Sequence, residues 1–305
     1  MPVIAVANQK GGVGKTTSVV NLGAALALRG LSALVIDLDP QANATTGLGL
    51  DRRTITRSTY ELLSQEAALE EVVLPTAIAG LDCAPASQDL AGAEVELVQQ
   101  AARERRLKTV LEASHRRWDI VLVDCPPSLG LITVNGLIAA HGLIVPVQCE
   151  YYALEGLGQL MSTAERVRRS LNPALRITGL LLTMYDGRTR LSSEVANEVR
   201  SHFGELVFKA VVPRSVRLSE APSYGQPVVT LDAGSRGSIS YRLVAGELEE
   251  RCALVSAKAA TRREGPERAL VPTREGPGGR GYGVVTAEPA GLVESWPPAD
   301  PWTEP

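Results

Sequence analysis

One short run, Lys10-Gly11-Gly12-Val13-Gly14-Lys15-Thr16-Thr17, restricts what this chain can fold into more than anything else in it. It lies between an all-apolar run at residues 3–7 and a helical pattern at 16–29 that stops at Gly30. Strand, glycine loop, helix is the setting in which successive backbone N–H groups turn inward around a phosphate. The glycines allow the bend, and the helix N-terminus adds a dipole that favours anions. In that setting Lys15 faces the β- and γ-phosphates, and the Thr16 hydroxyl ligates Mg²⁺. The run departs from the general spacing GxxxxGK[ST]: Gln9 stands where the first glycine is expected, with Lys10 beside it. Lys10 is then either a solvated loop lysine or a second cation at the phosphates.

The alternation that begins here continues along the chain. Apolar runs at 33–38, 120–123, 143–147, 177–183 and 207–212 read as further strands, and 228–231 as an edge strand. Apolar residues at spacings of three and four mark helices at 153–171 and 192–203. Strands alternating with helices predict an α/β fold, a mostly parallel twisted sheet with helices on both faces. Ligands of such sheets bind at the carboxyl ends of the strands, where the loops with chemistry converge.

Three carboxylates fall at such ends. Asp37 and Asp39 follow the second apolar run and point to one side if the strand continues. Beside a phosphate site, such a pair can hold Mg²⁺ and position the attacking water; a turn role for Asp39 before Pro40 is the plainer alternative. Asp124 ends the run Ile120-Val121-Leu122-Val123 and is the expected partner of Thr16 for the metal, the alternative being a strand-end cap.

Composition excludes several other classes. The net charge over 305 residues is −3, so any nucleic-acid contact needs a local basic patch. Aromatics are only 4%, too few for recognition of single strands by stacking. Cys83, Cys125, Cys149 and Cys252 form no CxxC pair and read as free thiols of a reducing, cytoplasmic setting. The start shows no secretory pattern, and no apolar run is long enough to span a bilayer. Residues 261–305 are rich in Pro, Gly and Glu without periodicity and read as a disordered tail, in which Trp296 and Trp302 are either solvated or a short docking motif.

KGGVGKTT resembles the deviant phosphate loop of the ParA/MinD group of ATPases. Downstream, DLDPQANAT (37–45), DCPPSLGLITVNGL (124–137), EYYALEGLGQL (150–160), LLTMYDGRT (181–189) and VPRSVRLSEAPSYGQPV (212–228) resemble its ParA/Soj branch, over about residues 1–256. The resemblance implies one ATPase domain there that uses ATP and Mg²⁺ and pairs face to face as an ATP-dependent homodimer. Lys10 would reach the partner's nucleotide, Gly12 would lie near the interface, Asp39 would position water, and Asp37 would stand in the outer magnesium shell. The backbone near Pro213, with Met184 opposite, would hold adenine; Ser215 replaces the asparagine usual in the family. The MinD branch, a membrane-associated positioning ATPase, is the closest rival, but it lacks the DPQ run and ends in a basic amphipathic helix that a Pro/Gly-rich segment cannot form. Iron–sulfur relatives need paired cysteines, and a DNA-binding domain ahead of the ATPase is not expected with a strand at Val3.

Lys209, Arg214, Arg217, Arg236 and Arg242 fall in a segment poor in acids. They predict either a salt-bridged face or a positive strip for duplex phosphates, read without sequence. The resemblance favours DNA, with Arg217 and Arg236 as preferred contacts, and implies a nucleoid-associated dimer. It also implies slow intrinsic hydrolysis, stimulated by a ParB-type centromere-binding partner.

Overall fold

The computed structural model describes residues 1–150 and 153–254; the predicted tail lies outside them. In chain order the elements are β1 (Val3–Val6), α1 (Lys15–Leu28), β2 (Ala33–Asp37), α2 (Asn43–Gly47), α3 (Thr59–Ser64), α4 (Leu69–Val72), β3 (Leu74–Pro75), β4 (Leu81–Ala84) and α5 (Leu90–Glu96). There follow α6 (Arg106–Ala113), β5 (Ile120–Asp124), α7 (Leu131–Ala139), β6 (Gly142–Gln148), α8 (Ala153–Ser170), β7 (Arg176–Thr183), α9 (Arg190–Phe203), α10 (Val216–Glu220), α11 (Val228–Leu231) and α12 (Arg236–Arg251). The strands form one sheet in the order β3-β4-β2-β5-β1-β6-β7. Every pairing is parallel except that of β3 with β4.

The central strands are apolar throughout because both their faces are covered. Successive side chains alternate between faces, so each strand feeds two cores. Ile4, Val6, Ile120 and Leu122 pack with Leu22, Leu26, Tyr241 and Val244 of α1 and α12. Val3, Ala5, Val121 and Val123 pack on the other face with Leu137 of α7 and Leu160 of α8. The register places Asp124 beside both Val6 and Asp37, so β1, β2 and β5 end together, at the edge where their loops emerge.

Two expected strands are absent. Val207 bridges Leu180, and the Phe208 and Val212 N–H groups donate to the Leu180 and Leu182 carbonyls of β7 at 2.9 Å each. Between them the ladder is broken, because the N–H groups of Lys209 and Ala210 donate to the Glu247 carboxylate of α12 at 2.8 Å each. Residues 228–231 form the helical turn α11 directly after Pro227, whose fixed φ suits a helix start. Two strands went unforeseen, β3 and β4, which are short and interrupted by Pro75 and Asp82. Helix α9 begins two residues before its periodicity does, because the Thr189 side chain accepts the Ser192 N–H at 3.3 Å.

Candidate nucleotide site

The loop between β1 and α1 is held open from both sides. The Asn8 side chain donates to the Pro146 carbonyl at 2.7 Å and accepts from the Lys10 N–H at 3.0 Å. The Thr183 hydroxyl donates to the Val13 carbonyl at 2.9 Å. Gly12 and Gly14 sit at φ 75° and 89°, where a Cβ would be strained, and Gly14 caps α1. Around Gly11 and Gly12 a Cβ would meet nothing within 4 Å, so this front of the loop is open to an approaching surface.

Lys15 is 6% exposed, and its ammonium donates to the Lys10 carbonyl at 3.1 Å. Burial lowers its pKa, while Asp124 and Asp39 pull it back up. It is a nearly dry cation inside the loop, suited to phosphate. Lys10 lies at the surface instead, its Nζ 3.4 Å from Oε2 of Glu150 on the same chain.

The carboxylates divide their work. Asp37 is fully buried; one oxygen accepts from the Asp39 N–H at 3.1 Å, the other from the Thr45 N–H and hydroxyl at 2.8 and 2.7 Å. Burial pushes its pKa up to about 6 against those hydrogen bonds. Asp124, alongside it, is also fully buried, and neither of its oxygens has a hydrogen-bond partner. Burial first and then Asp37 raise its pKa well above the carboxylate range; the nearby Thr16 hydroxyl and Lys15 oppose this. An orphaned carboxylate beside a hydroxyl, with a phosphate cradle adjoining, fits Mg²⁺, which is held by one or two protein oxygens together with substrate phosphates. Among the described residues no cluster of three His, Cys, Asp or Glu offers an all-protein metal cage. Asp39 is 9% exposed, and its Oδ1 accepts the Gln41 N–H at 2.9 Å, which fixes the carboxylate at the mouth of the site.

Raised pKa values have a measurable consequence. Burial favours the protonated form of both carboxylates, so Mg²⁺ binding with nucleotide is expected to release protons and to weaken as pH falls through about 6. Calorimetry in two buffers of different ionisation heat checks this. For stability the sign is opposite to that of an ordinary salt-bridged acid. Asp37 titrates higher folded, at about 6, than unfolded. Its contribution is therefore fully present below the unfolded pKa and is lost as pH rises through about 6.

Of the segments expected around adenine, the turn at 184–186 adjoins Pro213 through the backbone. Tyr185 bridges Pro213 through its N–H to the Val212 carbonyl and its carbonyl to the Arg214 N–H, both 3.0 Å. Met184, the residue before Tyr185, sits at φ 51°. Ser215 precedes α10 and makes no capping bond, which leaves its hydroxyl available. A cavity of about 220 Å³ adjoins the loop, lined among others by Thr16, Thr17, Asn21, Asn43, Leu218 and Gln226, and neither Met184 nor Pro213 borders it. Sequence reasoning missed Asn8, Thr45, Thr183 and Glu150, which act through backbone and side-chain bonds to remote segments that no local pattern announces.

Of the predicted cations, all five are exposed. Arg217 lies between Glu220 and Asp232, at 3.3 and 3.4 Å. Arg242 donates to the Val229 carbonyl at 3.1 Å. Lys209, Arg214 and Arg236 form no ion pair among the described residues.

A family model described as an AAA domain matches residues 1–177. The sporulation initiation inhibitor protein Soj of Bacillus subtilis is 50% identical over 246 residues, which is 81% of this chain and 97% of the relative. The chromosome partitioning protein ParA of Caulobacter vibrioides is 52% identical over 260 residues, 85% and 97% of the two chains. A Mycobacterium smegmatis structure described as cobyrinic acid a,c-diamide synthase with bound ADP and magnesium is 41% identical, with a TM-score of 0.71 over 81% of this chain and 93% of that one. The cell division ATPase MinD of Pyrococcus furiosus is 25% identical, with a TM-score of 0.68 over 82% and 98%.

Proposed function

Because this chain belongs to the Soj/ParA family of chromosome-partitioning P-loop ATPases, we propose that it is an ATP-driven switch that moves DNA by alternating between a monomer and a DNA-bound homodimer. The observation that carries the reading is the convergence of buried Lys15, orphaned Asp124 and rim carboxylate Asp39 on one glycine loop whose Gly11–Gly12 front is open.

In this reading the loop N–H groups and Lys15 bind the β- and γ-phosphates of ATP. Thr16 and Asp124 would hold Mg²⁺, which supplies positive charge at the transferring phosphoryl group. Asp37, tied to Thr45, would stand in the outer magnesium shell. Asp39 orients the attacking water and takes up its proton. Met184, Pro213 and Ser215 surround the base. A second copy approaches the open front and lends its Lys10 to the γ-phosphate, so hydrolysis awaits pairing. Intrinsic turnover is slow for that reason, and a ParB-type centromere-binding protein accelerates it.

Pairing doubles the basic residues presented to DNA. That turns weak affinity per monomer into useful affinity for the dimer. No helix among the described residues is long and apolar enough to cross a membrane. Light scattering with ADP and with a non-hydrolysable ATP analogue, each with and without duplex DNA, tests the cycle. Pairing only with the triphosphate, and DNA retention only when paired, is expected; binding to anionic vesicles without DNA retention would reject it.

Arg217→Glu is expected to keep the ATP-dependent dimer and lose DNA, because the new carboxylate would sit beside Glu220 and Asp232. Each phosphate contact contributes about 0.9 to the slope of log affinity against log salt, so a dimer lacking two should show a slope shallower by roughly 2. Unchanged retention on DNA at low salt would remove Arg217 from the interface.

A further inference from the structure

Helix α12 turns Gly237, Ser238, Tyr241, Val244, Ala245 and Leu248 into the core. Its other side carries Arg236, Ile239, Arg242 and Leu243, spaced so that they form one exposed face. Ile239 is 50% exposed and Leu243 58%. Of the acids further along, Glu247 is engaged by the N–H groups of Lys209 and Ala210 and Glu249 by Arg29, while Glu250 is exposed at the far end of the helix. The first half of the face is thus an apolar pair flanked by two arginines.

The chain beyond Leu254 leaves from the carboxyl end of this same helix. Its charge is divided. Residues 255–280 carry six Lys and Arg against three Glu, whereas 281–305 carry Glu288, Glu294, Asp300 and Glu304 with no Lys or Arg. The acidic half also holds Leu292, Val293, Trp296 and Trp302. Alignments that span 97% of the Soj and ParA relatives use only 81 to 85% of this chain, so the shared ATPase does not account for the remainder.

Length permits a return. Leu243 lies about 12 Å back along the helix from its last residue, Arg251, and a coil of 40 residues spans about 35 Å root-mean-square. A tether of that length gives an effective concentration on the order of millimolar, so a weak docking segment suffices. Pro-rich sequence suits such a segment, because it loses little backbone freedom on binding.

We propose that residues 284–304 dock on the outer face of α12 of the same chain, with the tryptophans over Ile239 and Leu243 and the carboxylates against Arg236 and Arg242. The docked segment covers Arg236, one of the exposed basic residues that pairing would present to DNA under the proposed function, and only in this consequence does the inference rest on that reading. The acidic segment then competes with duplex phosphates for the same cations.

Acrylamide quenching of tryptophan emission in the full chain tests the docking without DNA. Trp118 is buried and serves as a constant background. In the parent chain Trp296 and Trp302 are expected to be shielded, and in the Ile239→Asp/Leu243→Asp chain to be quenched like free tryptophan. Both substitutions fall on exposed positions, and circular dichroism confirms that the fold is kept. Accessible tryptophans in the parent, or shielding that survives in the double variant, overturns the proposal. Loss of the ATP-dependent dimer in the double variant also overturns it, since the face would then belong to a second copy.

The DNA arm replaces Glu288, Glu294 and Asp300 with Gln, Gln and Asn in the full chain. If the docked form holds about 80–90% of the population, DNA affinity should rise about five- to tenfold, the reciprocal of the open fraction. Shielded tryptophans with unchanged DNA affinity would support the docking and withdraw Arg236 from the DNA interface.

Discussion

Asp39→Ala is expected to bind ATP and pair as the parent does while losing about 10²- to 10⁴-fold in turnover, the range for removing a group that moves a proton in the transition state. The substitution is local. Asp39 contributes a carboxylate at the mouth of the site, 9% exposed and fixed by the Gln41 N–H. Its backbone N–H, which holds Asp37, remains in the variant. The turn that follows closes through the Asp39 carbonyl and the Ala42 N–H at 2.8 Å, again backbone to backbone. Lys15, Thr16 and Asp124 are untouched, so phosphate and metal affinity should survive. Single-turnover hydrolysis beside light scattering with ATP decides the matter: a variant that stays monomeric with ATP, or that turns over normally, removes the water-positioning role.

Lys10→Ala is expected to have the other large effect, a loss of about 10³- to 10⁵-fold in turnover, the scale on which a cation supplied to the phosphoryl group in trans contributes. Here pairing should fail as well. Nucleotide binding by the monomer should persist, because Lys15 donates to the Lys10 backbone carbonyl, which alanine also provides. Losing the 3.4 Å contact to Glu150 costs little, since both side chains are 39 to 48% exposed and exposed pairs contribute only about 0–1 kcal/mol. Mixing the two variants separates cis from trans. If Lys10 acts across the interface, a mixed dimer contains one site with its own Asp39 and the neighbour's Lys10, and activity returns. If Lys10 acts within its own chain, each site lacks one group and the mixture stays inactive.

Much of this site was legible because its parts lie where local pattern is strongest. The loop between residues 10 and 17 carries glycines at positions that need positive φ, and Asp124 ends a strand whose apolar run announces burial on both faces. The register that brings Asp37 level with Asp124 follows from two parallel strands leading to one edge. Other features escaped for equally physical reasons. Residues 207–212 have a strand's composition and partly follow β7, but the N–H groups of Lys209 and Ala210 in their middle turn to Glu247 and interrupt the ladder. Residues 228–231 are apolar enough for an edge strand, yet Pro227 and the Asn21 side chain, which accepts the Val229 N–H at 3.3 Å, favour a helical turn. Strand β4 is four residues long with Asp82 inside it, too short for alternation to be visible.

Sequence by itself determined the α/β alternation, the phosphate loop, the order of the carboxylates and the family, because each is written in neighbouring residues whose spacing matches a backbone period. Tertiary structure alone decided that Asp37 spends its lone pairs on Thr45 while Asp124 keeps both oxygens free, that Thr183 and Asn8 hold the loop from β7 and β6, and that Arg217 sits between two acids. Those facts depend on contacts between segments up to 170 residues apart. A side chain's partners, and hence its charge and reach, are set by whatever the fold carries to it, and no local period encodes that.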